Sequence, residues 1–317
     1  MEEIKVSICC ITYNHEKYIG NALESFLMQK TNFKFEIIVH DDASTDQTPQ
    51  IIKEYAEKYP DIIVPILQTK NQYSQGIKIA ATYIWPRVRG KYITICEGDD
   101  FWIDEHKLQK QFEKMEIDKE LAFCCHCNKE YDIRNNQYSI NRQEKLTGKF
   151  NLEQFLKAYY SQAPKTLFQT SSIFMRRDYI LKLLKTRPQF YFKCSIGDIP
   201  MELFLLTLGD GYYMQESMSV YRRFSEESWS NAVYSDKKRL IKHYNDMINM
   251  YEGFNLFTES KYQKIIYKFV DIYKFKLDFQ QEKYRKIIRL RYFRELKKLP
   301  LKSIVYVLVV GTIKGNK

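Results

Sequence analysis

The stretch ICEGDDFW, residues 95–102, sets three carboxylates, Glu97, Asp99 and Asp100, into four positions at the end of the apolar run KYITI and against an aromatic pair. Like charges this close repel, and a cation relieves the repulsion. Hard oxygen ligands select Mg2+ or Mn2+, held by one or two carboxylates while substrate phosphates complete the shell. A solvated acidic turn has the same composition, so the cluster by itself leaves both readings open. A second acidic cluster, HDDASTDQT at 40–48, also follows an apolar run. Ser44, Thr45 or Asp46 can cap the helix that follows, with Pro49 in its first turn. Asp41 and Asp42 precede that cap and are not needed for it. A carboxylate at a strand end can accept N–H or O–H donors from a base or ribose, with an ordinary turn as the competing reading. FCCHC at 123–127 invites a zinc reading, but no second ligand pair follows it, and alternate strand residues point to opposite faces. A core strand is the expectation there.

Such groups need rigid supports that end together. KVSICCI (5–11) reads as a buried strand, and EKYIGNALESFLMQ (16–29) carries apolar residues at helical spacing. FEIIVHD (35–41), a helix over 48–59, IIVPIL (62–67), a helix near 76–88 and KYITIC (91–96) continue the alternation. Strands alternating with helices predict right-handed crossovers and an α/β, mostly parallel, doubly wound sheet. Its ligand crevice lies beyond the carboxyl ends of the strands. TYN, DDASTD, KNQ and EGDD follow the four strands in turn, so four polar clusters converge on one rim. From 121 to 235, strand-like LAFCCHC, SSIFMRR and GYYMQESMSVYRRF surround helical segments near 152–160 and 178–185. No Gly/Pro/Ser-rich linker separates this part from the first, so residues 1–235 are expected to form one domain.

Hydrophobic residues make up 44% of the 317 and aromatic residues 15%, enough to build a globular core and to argue against disorder. Seven cysteines, an odd number set mostly in apolar runs, suit free buried thiols and a cytoplasmic location better than a disulfide framework. Met1, Glu2 and Glu3 open the chain with acid where a secretory leader has base, and VSICCI is short for a leader's apolar core. The longest apolar run, SIVYVLVVGTI at 303–313, compares with the roughly 20 residues a spanning helix needs. The net charge of +11 is concentrated at one end. Residues 237–317 hold 20 Lys and Arg against 7 Asp and Glu, whereas residues 1–236 hold 30 against 32.

Taken in order, ITYNHEKYIGNALESFLMQ, IIVHDDASTDQT and RGKYITICEGDDFW resemble the nucleotide-binding half of glycosyltransferase family 2, inverting enzymes with the Rossmann-like GT-A fold. The resemblance covers residues 4–110 and implies that Tyr13 and Asp42 contact the nucleotide base, with Thr12, Asn14 and Asp41 beside them. It implies that Asp99 and Asp100 meet the ribose and a divalent metal, Mn2+ or Mg2+, on the donor's diphosphate. Glu97 stands where many relatives have the first aspartate of a D-x-D motif. Asn71, Gly76 and Lys78 fall in the segment with which relatives line the diphosphate, here with fewer Gly and Arg than usual.

SIGDIPMELFLLTLGDGYYM (195–214) resembles the family segment in which an aspartate before a helix takes the acceptor hydroxyl's proton, a role that falls on Asp198. A helix cap, with Pro200 in the first turn, is the competing reading, and one side chain can do both. Asp210 reads as a turn residue. Many relatives carry a histidine after YR; VYRRFSEESWS has Phe224 there, which leaves Arg222, Arg223 or Trp229 to close over the diphosphate, with a basic, partly exposed strand as the alternative. QTSSIFMRR (169–177) resembles the acceptor-side strand, which brings Thr170 and Ser171 near the acceptor. Trp102 is read as packing or as acceptor-side wall.

The tail, 236–317, combines its charge with Tyr, Phe and Ile at helical spacing, as in KYQKIIYKFVDIYKF and KYRKIIRLRYFRELKKL. No nucleic-acid-binding fold or stacking platform is evident. A basic amphipathic surface lying on an anionic membrane, at the inner face of the cell membrane, is the expectation, and a helical bundle with a solvated basic face the alternative. Together these readings predict a metal-dependent transfer of a sugar from a nucleotide-sugar, a UDP-sugar, to a saccharide or lipid-linked saccharide of a surface polysaccharide. A non-catalytic nucleotide-sugar-binding or scaffolding protein and a nucleotidyltransferase are the alternatives; the latter normally has a Gly-rich basic loop where TYNHEKY stands.

Overall fold

The computed structural model describes residues 3–162, 166–225, 229–287 and 292–297, with 304 and 307. Most of the run 303–313 and part of KYRKIIRLRYFRELKKL therefore lie outside the described residues. The chain divides into two compact units. One comprises Met1–Arg187 with Met201–Ser228, the other Pro188–Pro200 with Trp229–Lys317.

The first unit is built on a mixed sheet. β1 (Ile4–Thr12), β2 (Lys34–Asp41), β3 (Ile63–Leu67) and β4 (Tyr92–Ile95) pair in parallel in the order β3-β2-β1-β4. β1 is central and apolar along its length, as a strand covered on both faces must be; Val6, Ile8 and Cys10 are fully buried. α1 (Ile19–Leu27) and α2 (Thr48–Lys58) connect the first three strands. α1 buries Ile19, Ala22, Leu23 and Phe26 in the core it shares with Val6, Ile8 and Cys10. Each of the larger three contributes about 1.5–3 kcal/mol by leaving water. Ser7 and Glu36 fix the register where β1 and β2 begin. The two are partners in the ladder, and the Ser7 hydroxyl donates to Glu36 Oε1 at 2.6 Å while accepting the Gly90 N–H at 2.9 Å. Arg89 neutralises the buried carboxylate at 2.6 Å.

The helix expected near 76–88 is replaced by short turns. Tyr73–Gln75 and Trp85–Arg87 are 3₁₀, and Ala80–Ile84 is a π turn. Pro86 supplies the reason: it has no N–H to donate, and its ring would strike the carbonyl four residues back.

The rest of the sheet is mainly antiparallel. β5 (Phe101–Trp102), β6 (Leu121–Asp132), β7 (Gln137–Asn141), β8 (Gly148–Phe150), β9 (Phe174–Arg176) and β10 (Asp210–Arg223) complete it. β9 inserts antiparallel between β4 and β6, β10 runs parallel to β6, and β5 pairs antiparallel with β10. α3 (Lys107–Ile117), α4 (Leu152–Gln162) and α5 (Arg177–Thr186) lie between them in the chain. FCCHC falls in β6 with every residue buried, and all seven cysteines are free and buried.

In the second unit α6 (Gln189–Phe192) precedes the opening turn of α7 (Asp198–Leu205), and α8 (Trp229–Tyr234), α9 (Lys237–Phe257) and α10 (Gln263–Gln280) follow. Asp236 caps α9, accepting the Lys238 and Arg239 N–H groups at 2.7 and 3.1 Å. α9 and α10 pack through aromatic rings, Tyr251 stacking on Phe269 with centroids 4.7 Å apart and planes 5° from parallel. Phe190 of α6 meets Phe254 and Phe257 of α9 at 5.3 Å each, over Gly253, where an added Cβ would lie 3.1 Å from the Phe190 Cβ. Among the described residues no helix is long and apolar enough to cross a membrane.

Candidate active site

The parallel register brings three polar strand ends together. Thr12 is the ladder partner of Asp41, and Cys9 that of Ile95. Past Ile95 the chain stays beside β1: the Cys96 N–H donates to the Cys9 carbonyl at 3.1 Å and the Gly98 N–H to the Ile11 carbonyl at 2.9 Å. A Cβ on Gly98 would sit 2.7 Å from Thr12 Oγ1 and 3.1 Å from His15 Nδ1, so only glycine lets the acidic turn lie this close to β1.

The loops after β1 and β2 are tied to each other. Asn14, in the left-handed region with φ +53°, donates its N–H to Ser44 Oγ at 2.8 Å and accepts the Thr45 N–H at 2.8 Å through its side chain. The His15 N–H donates to Thr48 Oγ1 at 2.8 Å, and the Glu16 N–H to Asp46 Oδ2 at 3.0 Å. Asp46 also accepts the Thr48 N–H where α2 starts. Ser44, a candidate cap in the sequence, instead gives its hydroxyl and its N–H to Asp41. Burial raises the Asp41 carboxyl above its ordinary value, and the Ser44 bonds oppose that. Asp42 is buried as well, with Oδ1 accepting the Gln72 N–H at 2.8 Å and Oδ2 the Tyr73 N–H at 3.0 Å. Asn71 donates to the Asp42 carbonyl at 3.1 Å, and Gly76, at φ +77°, ends the turn that follows. Tyr13 lies half-buried between Thr12 and Asn14, and Lys78 stands just beyond the turn.

The acidic turn is closed by residues more than 70 positions away in the chain. Thr170 donates to Glu97 Oε2 at 2.6 Å. Ser225 donates to Asp99 Oδ2 at 2.9 Å, and the Arg222 N–H to Asp100 Oδ1 at 2.9 Å. The Arg222 guanidinium gives one hydrogen bond to the Asp99 carbonyl and one to Asn21 Oδ1, at 2.6 and 2.7 Å, and lies 4.3 Å over the Phe101 ring. Its neighbour Arg223 takes the other face of β10, as strand alternation requires, and pairs with Glu130 at 3.2 Å. Arg223 is thus not brought to the acidic turn. Phe224, at φ +67°, lies with its ring 3.3 Å from the Arg134 guanidinium.

Trp102 and Ser171 are buried and joined to each other, the indole N–H donating to the Ser171 carbonyl at 3.1 Å. They form packing, with no exposed face in this arrangement. Lys107 lies 4.0 Å over the Trp102 ring and donates to Gln111 Oε1 at 2.8 Å; burial lowers its amine to about 7. Asp198 opens α7 in the second unit, where burial of the Tyr191 phenol, followed by the charge of Asp198, raises that phenol above its ordinary value. The Trp229 side chain lies outside the described residues. His15, Asn21 and Ser225 were not singled out from the sequence. His15 stands inside the quoted TYNHEKY, but its nearness to Asp99 needs the fold to be seen.

Whether these residues suit a divalent cation can be tested on one atom. Asp100 Oδ2 is buried and has no hydrogen-bond partner. Burial, followed by the charges of Asp99 and Glu97, pushes the Asp100 carboxyl well above the ordinary carboxylate range. An orphaned carboxylate oxygen in a crowd of negative charge is a donor set that a hard cation relieves. Among the described residues no three His, Cys, Asp or Glu side chains are grouped to hold a metal, so such a cation would draw on phosphate or water oxygens as well.

A carboxylate cluster at the rim of a doubly wound sheet lies where ligands bind in such folds, and comparison with known proteins gives the class. The family model for glycosyl transferase family 2 matches residues 7–184. The chain belongs to glycosyltransferase family 2. It is 32% identical over 238 residues to an uncharacterised protein of Mycobacterium bovis, covering 74% of this chain and 63% of the relative. It is 32% identical over 146 residues, 46% of this chain and 51% of the relative, to the Escherichia coli UDP-Glc:alpha-D-GlcNAc-diphosphoundecaprenol beta-1,3-glucosyltransferase WfaP. In fold it is similar to S. aureus TarS 1-349 in complex with UDP-GlcNAc, with a TM-score of 0.63, 16% identity and coverage of 92% and 80% of the two chains. A mannosyltransferase from Pyrobaculum calidifontis in complex with GDP-Man and Mn2+ gives 0.55, 15%, 98% and 87%. The GT-A fold follows from these. The chain spans just under two thirds of the first of these relatives.

Proposed function

We propose that the protein is a metal-dependent inverting glycosyltransferase that moves a sugar from a nucleotide-sugar, a UDP-sugar, to a saccharide or lipid-linked saccharide in surface-polysaccharide assembly. The observation that carries the reading is the buried acidic turn with its orphaned Asp100 oxygen, clamped by Arg222 at the rim where Thr12 and Asp41 also end. Thr12, Tyr13, Asn14, Asp41 and Asp42 form the base and ribose end. Asp42 also holds the 71–76 loop in place through two backbone N–H groups, which sets Asn71, Gly76 and Lys78 beside the donor. Asp99 and Asp100 would hold Mn2+ or Mg2+, which when bound stabilises negative charge on the departing diphosphate. Arg222 adds a positive charge next to it, while its backbone N–H holds the Asp100 carboxylate and the Ser225 hydroxyl that of Asp99. Asp198, on the resemblance of its segment, would take the proton from the attacking acceptor hydroxyl.

The WfaP name, with its diphosphoundecaprenol acceptor, and the UDP-GlcNAc complex of TarS support the donor and acceptor classes. The basic helices of the second unit, with Leu256 75% exposed and Tyr267 44% exposed near Lys261, Lys264 and Lys268, favour an anionic membrane surface for the same acceptor. Flotation with phosphatidylglycerol vesicles tests this, and equal recovery with neutral phosphatidylcholine vesicles would reject it. For the site, Mn2+ together with UDP is expected to raise the melting temperature more than either alone. Asp198→Asn is expected to abolish transfer and keep that shift. No shift with any nucleoside diphosphate would sink the donor reading, and an Asp198→Asn enzyme with unchanged turnover would remove Asp198 as base.

A further inference from the structure

Asp99 faces two side chains from opposite parts of the chain. Ser225 reaches its Oδ2 from beyond β10 at 2.9 Å, and His15 Nε2 lies 3.9 Å from the same oxygen. Among the described residues His15 is the only imidazole within 4 Å of that carboxylate. Its ring is nearly buried, with 11% of the side chain exposed. The backbone bond to Thr48, the edge of Tyr18 at 6.3 Å and the α-carbon side of Gly98 all confine it.

The two ring nitrogens are not equivalent. Nδ1 is sealed from solvent without a hydrogen-bond partner. Nδ1 lacks a partner in either tautomer, so Nε2 decides: a proton there faces a carboxylate, whereas a lone pair there would be set against one. The neutral ring therefore carries its proton on Nε2, pointed at Asp99.

We propose that His15 is a positioning residue for Asp99: its Nε2–H closes on Oδ2 when cation and diphosphate bind, and with Ser225 it fixes the rotamer in which the carboxylate meets the cation. A ligand carboxylate held by a second hydrogen bond is a stronger and better-aimed ligand, and loss of such a partner typically weakens metal binding about 10–100-fold. The inference rests on the metal-dependent reading of the site given above.

Glutamine places its amide nitrogen where Nε2 lies, and asparagine places its own where Nδ1 lies. Calorimetric titration of UDP-saturated protein with Mn2+ is expected to show His15→Asn weakened about tenfold or more and His15→Gln within about threefold of wild type. The melting temperatures of both variants without ligand report folding. If wild type shows no Mn2+-dependent UDP binding, the metal-dependent reading fails, and this inference with it. If wild type binds but the two variants shift equally, or neither shifts, His15 alone loses its role. Should His15→Asn not fold, long-range 1H–15N correlation of wild type with Mg2+ and UDP decides: a proton on Nε2 supports the role and a proton on Nδ1 overturns it.

Discussion

Lys107 offers a stability experiment whose sign and size follow from its surroundings. The side chain is fully buried, and its amine touches Gln111 Oε1 at 2.8 Å, Thr94 Oγ1 at 3.3 Å and the Trp102 ring at 4.0 Å. Burial lowers its folded pKa to about 7, against about 10.4 in the unfolded chain. Between those values the unfolded state holds more protons than the folded one, so stability rises with pH. The limiting slope is about 1.4 kcal/mol per pH unit. From pH 7 to pH 9 the gain is about 2 kcal/mol, and below pH 7 it levels off with the full cost of the buried charge in place. Lys107→Met keeps the length and removes the titration. The nearby Cys96 and Cys124 thiols are pushed up by burial, Cys124 to about 12, so they stay protonated throughout and do not imitate the effect. The assay is urea unfolding of wild type and variant at pH 6, 7, 8 and 9. Wild type is expected to gain on the variant above pH 7, and a difference constant from pH 6 to 9 would refute a buried, easily neutralised amine.

Two further substitutions probe the acidic turn. Gly98→Ala puts a methyl 2.7 Å from Thr12 Oγ1 and 3.1 Å from His15 Nδ1, and the turn must lift from β1. A loss of about 1–3 kcal/mol in stability is expected, together with loss of the Mn2+-dependent shift by UDP; an unchanged shift in differential scanning fluorimetry would show that the close approach is not needed. Arg222→Lys keeps one charge but cannot reach both the Asp99 carbonyl and Asn21 while covering Phe101. A fall in kcat/KM of about tenfold or more is expected in a donor-consumption assay, and a value within twofold of wild type would make the clamp dispensable.

The part of the fold most legible in the sequence is the parallel half, because β1, β2 and β4 are buried on both faces and read as unbroken apolar runs that stop at polar residues. Short strands are a different matter. β5 has two residues and β9 three, too few for any period to show, yet β9 is the strand that joins the two halves of the sheet. β6 runs five residues past its apolar run, to Asp132, because its second half pairs with β7 around Asn136, at φ +53°. In the site, the strand-end carboxylates were visible from type and position. The partners that fix them, Ser225, the Arg222 N–H and the Thr170 hydroxyl, lie 73 to 126 positions away in the chain, and only the fold makes them neighbours. The division of labour between Arg222 and Arg223 was available in the alternation of a strand but needed the pairing of β10 with β5 to say which face mattered.

That pairing also bears on the order in which the protein becomes competent. The bonds from Arg222 and Ser225 to the acidic turn span 122 and 126 residues, among the longest closures in the first unit. A growing chain can assemble β1 to β4 long before β10 has been synthesised, but the turn would then carry its three carboxylates unclamped. Nucleotide affinity should therefore be the last property to appear during refolding, after the recovery of helical signal. On the proposed reading, a half-made copy would meet a donor with its acidic turn still unclamped.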